Sequence, residues 1–194
     1  MNIYIMRHGT TIWNEKGITQ GRTNNRLSKK GIELTNKVSE EYKDINFDII
    51  YASPLFRTIQ TANIMNKYHN VKIVKNLNLI EIDQGYFTGK HKDDLTKEEK
   101  IVKNKRLSEY GMESYESVCN RCKLFLNELV TKSYKNVLII THNCSATLLE
   151  DLIKEIKIDY NNPQHLRNFN NAEIKKFTIS NNNLTGYGTN MLKY

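Results

Sequence analysis

Four places in the sequence gather residue types that can act on an anionic ester. The first is Arg7-His8-Gly9. A neutral imidazole is a competent nucleophile near neutral pH, because its reference pKa is about 6.5. Arg7 supplies a fixed positive charge suited to phosphate oxygens, and Gly9 lets the backbone approach an oxyanion closely. The second is Ser53-Pro54-Leu55-Phe56-Arg57. Ser53 reads as a helix N-cap and Pro54 as the first helical position. The helix start then favours an anion, and Arg57 in its first turn adds a second guanidinium. The third is Thr141-His142-Asn143, where His142 can donate to a phosphoryl oxygen. The fourth is Glu81, in Leu79-Ile80-Glu81-Ile82-Asp83-Gln84-Gly85. Breaking a P–O ester bond requires a proton for the leaving alkoxide. A carboxyl group can supply it and then take one from attacking water. Asp83 is the competing local carboxylate. Taken singly, the first is as readily a core histidine as a site, and the other three read more readily as ordinary core or surface features.

The elements that would position them follow from periodicity. Strands are predicted at Asn2 to Met6, Phe47 to Ala52, Val71 to Val74, Val137 to Ile140 and Glu173 to Ile179. Helices are predicted at Lys29 to Tyr42, Leu55 to Tyr68, Tyr115 to Val130 and Ser145 to Ile156. This alternation predicts an α/β fold with a largely parallel sheet. Ligands bind such sheets beyond the carboxyl ends of the strands. Arg7-His8-Gly9, Ser53-Pro54 and Thr141-His142-Asn143 all fall there.

Length and composition bound the rest. The 194 residues fit one domain, read as 1–194, with ordinary globular composition at 39% apolar and 26% charged residues. There is no apolar run long enough to span a membrane and no secretory leader pattern, so the chain is read as cytoplasmic with no membrane partner. The net charge of +8 favours anionic ligands. The basic residues are scattered and no nucleic-acid signature accompanies them, so no nucleic-acid partner is expected. Cys119, Cys122 and Cys144 suggest no disulfide framework. Cys119-x-x-Cys122 has no second ligand pair for zinc and is read as a partly buried helix face. No carboxylate cluster suggests magnesium and no Gly-x-x-x-x-Gly-Lys loop occurs, so neither metal nor cofactor is expected.

In combination the motifs are far more specific. Arg7-His8-Gly9-Thr10, Asn14, Gln20-Gly21, Leu27 and Gly31 come first. Ser53-Pro54-x-x-Arg57-x-x-x-Thr61-Ala62 and Leu79-x-Glu81-x-x-x-Gly85-x-x-x-Gly89 follow, then Glu113-Ser114, Arg121 and Thr141-His142. This order resembles the histidine phosphatase (phosphoglycerate mutase-like) superfamily from residue 1 to about residue 175. The resemblance implies a three-layer α/β/α fold around a mostly parallel sheet. It implies His8 as phosphoryl acceptor, with Arg7, Arg57 and His142 as the clamp; two arginines and a protonated histidine can stabilise the phosphoryl charge. Glu81 would be proton donor and then base, and no metal is needed. It places Asn14 in the phosphate pocket and Thr10, Gln20 and Gly21 on the bordering loop. Three departures stand out. Thr10 replaces a frequent Glu, and Arg26, a frequent proline position, reads as an exposed loop cation. Asn143-Cys144 follows His142 where glycine is frequent, and Asn143 can still donate to an oxygen.

The family includes phosphatases and mutases. The short segment between Gly89 and Glu113 and the Gln20-Gly21 pair resemble the phosphatase branch. Hydrolysis of a small phosphorylated metabolite is therefore expected. A 2,3-bisphosphoglycerate-dependent phosphoglycerate mutase and a weakly catalytic anion-binding protein are the alternatives. The basic segment holding Lys90, His91, Lys92, Lys97, Lys100, Lys103, Lys105 and Arg106 is read as a solvated face, some of which could attract polyanionic substrates. The substrate and the oligomeric state stay open, a homodimer being one option.

Overall fold

A computed structural model of the chain describes residues 1–105, 110–158, 160 and 169–179. Among the described residues five strands form one sheet. They are β1 (Asn2–Arg7), β2 (Ile49–Ala52), β3 (Ile73–Lys75), β4 (Asn136–Thr141) and β5 (Ile174–Thr178). Six α-helices accompany them: α1 (Ile12–Glu15), α2 (Lys29–Glu41), α3 (Phe56–Met65), α4 (Lys97–Lys105), α5 (Tyr115–Val130) and α6 (Asn143–Ile153).

The sheet order is β3-β2-β4-β1-β5. β1 and β2 both pair parallel with β4, as does β3 with β2, while β5 closes the edge antiparallel to β1. Helices cover both faces, so the inner strands read as continuous apolar runs. Val137, Leu138, Ile139 and Ile140 of β4 are all fully buried. The strand period of two divides the core. Ile3, Ile5, Ile49, Tyr51, Val137 and Ile139 pack with α5 and α6. Tyr4, Met6, Ile50, Ala52, Leu138 and Ile140 pack with Ala62 and Met65 of α3 and Val38 of α2. This is the three-layer, mostly parallel arrangement expected. Cys119 and Cys122 are fully rather than partly buried on the inner face of α5.

Several boundaries move. The helix predicted from Leu55 starts at Phe56, and its last turn, Asn66–Tyr68, tightens into a 3-10 helix. The final helix begins at Asn143 and stops at Ile153. β2 starts at Ile49 and β3 spans Ile73–Lys75, each shifted by two residues at its start. Among the described residues no helix is long and apolar enough to cross a membrane.

For the site, one topological fact matters most. β4 lies between β1 and β2, so the carboxyl ends of three neighbouring strands deliver His8, Ser53 and His142 to one edge.

Candidate active site

His8 follows β1, and its backbone N–H still donates to Thr141 O of β4 at 3.0 Å. The turn after it is held from three sides. Gly9 N donates to Thr61 Oγ1 of α3 at 3.0 Å. Asn171 Nδ2, just before β5, donates to His8 O at 3.1 Å. On the third side α2 is packed so tightly that a Cβ on Gly9 would run into Thr35 Oγ1, with Gly31 O at 3.1 Å and Leu27 Cδ2 at 3.3 Å. Gly9 therefore permits close approach to α2, a different use from the oxyanion contact its sequence context suggests.

Hydrogen positions on His8 follow from its partners. Nδ1 lies 2.7 Å from Gly9 O, and a carbonyl can only accept, so Nδ1 carries the hydrogen. Nε2 keeps its lone pair and accepts from Arg57 Nε at 3.2 Å. Burial, and then the charges of Arg57 and Arg7, hold this imidazole well below its ordinary pKa. The ring is neutral at physiological pH, with its lone-pair nitrogen against a guanidinium.

Arg57 is 1% exposed. Its Nε also donates to His142 Nδ1 at 3.2 Å, while Nη1 and Nη2 donate to Thr23 O (2.7 Å) and Gly21 O (2.8 Å). Of the five N–H donors of a guanidinium, these contacts leave two for an anion. Burial lowers its pKa to about 10, with Glu81 opposing, so the charge persists at neutral pH.

His142 is fully buried at the N-cap of α6. Because Nδ1 accepts from Arg57, Nε2 carries the hydrogen and donates to Ser53 Oγ at 2.7 Å. Burial, then the Arg57 charge, hold His142 well below its ordinary pKa. It is neutral here, whereas charge stabilisation by the clamp calls for a protonated ring. Its ring centroid lies 5.2 Å from that of His8.

Ser53 thus serves His142 and does not cap a helix. The chain bends at Pro54 and Leu55, and Leu55, itself in the extended region, precedes α3 without a side-chain cap. The first amide of α3 is satisfied by Asn24, whose Oδ1 accepts from Phe56 N at 3.1 Å. That amide is therefore already taken and is not an open anion donor.

Arg7 ends β1 and donates through Nη1 to Phe169 O at 2.6 Å. Its Nε is buried with no hydrogen-bond partner among the described residues. Orphaned buried donors are rare, and the Arg7 side chain lines a cavity together with Arg57, Lys92 and Lys103. Burial lowers the Arg7 pKa, with Glu81 and Glu173 opposing. Glu81 is fixed through its neighbours: Thr141 Oγ1 donates to Leu79 O (2.7 Å), Ser145 Oγ to Ile80 O (2.8 Å), and Ile82 N to Glu81 Oε1 (2.9 Å).

Arg7, His8, Asn14, Gln20, Gly21, Arg57, Glu81 and Asn143 line one cavity of about 280 Å³. Asn14 Oδ1 accepts from Thr11 N at 3.1 Å in a capping box, which leaves the amide nitrogen end toward other partners. Gln20 Oε1 accepts from Thr11 Oγ1 at 2.9 Å. Gly21 adopts φ +50°, a conformation that favours glycine, and presents its carbonyl to Arg57. Asn143 Oδ1 accepts from Phe169 N at 3.0 Å. His142 sits one layer behind the lining, in contact through Arg57.

Of the basic segment, Lys92 and Lys103 reach the cavity. Lys90 instead pairs with Glu99 at 2.7 Å and covers the Tyr86 ring. Arg106 lies outside the described residues. Arg26 is an exposed cation stacked over Phe56. Among the described residues no group of three His, Cys, Asp or Glu converges in the way a metal ion would require.

The contributions of the Gly21 and Thr23 carbonyls, the Ser53 hydroxyl, Phe169 and Asn171 are not legible in the sequence. Backbone acceptors leave no trace in residue types. Asn171 and Phe169 act on residues more than 160 positions away.

The family model of the histidine phosphatase superfamily (branch 1) matches residues 3–190. The chain is 28% identical over 181 residues to a putative phosphoserine phosphatase 2 of Hydrogenobacter thermophilus, covering 89% of this chain and 88% of that one. It is 35% identical over 99 residues to a probable phosphoglycerate mutase, GpmB, of an Enterobacter species, covering 51% of this chain and 46% of that one. In fold it is similar to the alpha-ribazole phosphatase of Shigella flexneri, with a TM-score of 0.81, 22% identity, and 93% and 91% of the two chains covered.

Proposed function

The chain belongs to the histidine phosphatase superfamily, and from that premise we propose that it hydrolyses a small phosphate monoester through a phosphohistidine formed at His8 Nε2. One observation carries the reading. The lone pair of a neutral, buried imidazole and a second histidine are both held at 3.2 Å from one guanidinium nitrogen.

In this reading the guanidiniums of Arg7 and Arg57 hold the phosphoryl oxygens. Nε2 of His8 attacks phosphorus as the ester P–O bond breaks, and the Glu81 carboxyl gives its proton to the leaving alkoxide. The Glu81 carboxylate then takes a proton from a water that attacks phosphorus, returning His8 and releasing phosphate. Charge builds on the equatorial oxygens in both steps, so fixed cations do most of the stabilising. The guanidiniums supply the charge that a metal supplies in other phosphatases. His142 becomes a donor at Nδ1 only by gaining a proton, which a bound phosphoryl dianion favours.

The cavity suits a small metabolite, with Lys92 and Lys103 near an anionic tail. Phosphoserine, the substrate in one relative's name, is a candidate beside phosphosugars, phosphoglycerate and a nucleotide-loop phosphate. A mutase-named relative matches about half of the chain, which keeps phosphoryl return to a retained intermediate as the second reading.

Hydrolysis of an aryl phosphate in the presence of chelator tests the proposal. Turnover that vanishes in His8→Ala supports it. Salt-sensitive retention of polyanions without turnover supports a binding protein instead. A screen of phosphorylated metabolites with and without 2,3-bisphosphoglycerate separates hydrolase from mutase.

A further inference from the structure

Resting on that reading, we infer that Arg22 is a positioning residue, setting the proton donor Glu81 against the arginine clamp. The loop on which it sits performs two tasks. Gly21 O and Thr23 O hold the two terminal nitrogens of Arg57 at 2.8 and 2.7 Å. Between them, Arg22 reaches the segment that carries Glu81. Its Nε donates to Glu81 O at 3.1 Å, its Nη2 donates to Glu113 Oε2 at 2.9 Å, and its Nη1 lies 3.7 Å from Asp83 Oδ2.

Glu113 is itself a fixed post. Arg121 donates to its two oxygens from Nε (3.1 Å) and Nη2 (3.2 Å), and Asp83 N donates to Oε2 at 3.2 Å. Burial pushes the Glu113 carboxyl up, but its bond to Arg121 and the charges of Arg121 and Arg22 outweigh this and hold it below the usual carboxylate range. The post is therefore an anion. Arg121 also ties Asn78 O through Nη1 at 2.8 Å. Residues 78 to 83 are thus anchored to α5, β4 and α6 by other groups, while Arg22 anchors them to the loop that cradles Arg57.

A planar fork suits this bridge because it meets a carbonyl and a carboxylate from one rigid group. The Arg22 side chain is 37% exposed, so its removal threatens the fold little. The expected consequence is misplacement of Glu81 relative to the phosphoryl group, which matters only when the leaving group needs a proton.

Two esters read this out. Glycerol 3-phosphate leaves as an alkoxide and needs the acid; 2,4-dinitrophenyl phosphate leaves as a stable anion and does not. The ratio kcat/KM covers the steps up to leaving-group departure. Arg22→Met is expected to lower kcat/KM for glycerol 3-phosphate about 30-fold and for the dinitrophenyl ester less than about threefold. Glu81→Gln is expected to show the same selectivity more strongly, and Arg22→Lys more weakly. Equal losses on both esters, or no loss on either, would overturn the role of Arg22. Wild-type enzyme that turns over neither ester, or turnover that survives His8→Ala, would overturn the functional reading and this inference with it.

Discussion

Replacing Ser53 by alanine probes the hydrogen-bond chain Ser53–His142–Arg57–His8 from its far end. Ser53 Oγ accepts from His142 Nε2 at 2.7 Å, and both residues are 0% exposed. Without the hydroxyl, the Nε2 hydrogen has no acceptor. The other tautomer fails as well, because it would aim a hydrogen from Nδ1 at the Arg57 Nε–H, 3.2 Å away. A buried donor left unpaired costs about 1–3 kcal/mol. Urea unfolding of Ser53→Ala should show that loss as a lowered midpoint with an unchanged slope. His142→Leu removes the donor, so Ser53→Ala should cost less in that background, with a coupling of at least about 1 kcal/mol. The same 1–3 kcal/mol applied to the transition state lowers kcat/KM by roughly 5- to 150-fold. Losses that add, with coupling below about 0.3 kcal/mol, would refute the hydrogen assignment along the chain.

Other outcomes follow from the same geometry. Gly9→Ala forces a methyl group against Thr35 Oγ1, so it should lose about 1–3 kcal/mol in urea unfolding; Thr35→Ala in the same chain should recover part, and no recovery would place the crowding elsewhere. His8 and His142 have folded pKa values depressed first by burial and then by Arg57, so the unfolded chain binds protons that the folded one excludes. The stability they contribute is complete above about pH 6.5 and is lost as pH falls toward the depressed values, by up to about 1.4 kcal/mol per pH unit for each histidine. Urea titrations on either side of that pH should show the decline, with His8→Asn removing its share, and a flat profile would contradict neutral buried imidazoles. Lys92→Gln should lower kcat/KM for an anionic metabolite ester about threefold at low ionic strength and less in salt; an unchanged value at low salt would remove Lys92 from substrate attraction.

Much of the positioning was legible. Val137 to Ile140 is an apolar run that only a strand buried on both faces explains well, and the rule for strand ends then leads to His142. Asn2 to Met6 leads to His8 in the same way. α1 and α4 left no comparable signal. The first is four residues long, and the second carries only Ile101 and Val102 as apolar side chains, so neither shows a periodic stripe. Ser53 misled because its residue type fits an N-cap, while its hydroxyl was already committed to a histidine 89 positions away. The neutrality of His142 was hidden for a related reason. Residue type fixes the reference pKa, but burial and the Arg57 charge set the actual one.

In the proposed reaction phosphorus becomes covalently bonded to His8 Nε2. Glu81→Gln offers the most direct view when given 2,4-dinitrophenyl phosphate. The ester needs no acid to react, but hydrolysis of the adduct needs the missing base, so the intermediate should accumulate. Rapid mixing is predicted to release about one equivalent of dinitrophenolate per chain in a burst, leaving an alkali-stable, acid-labile phosphoryl group on the peptide that contains His8. A burst that persists in the His8→Ala background, or label on any other residue, would rule out a phosphohistidine at His8.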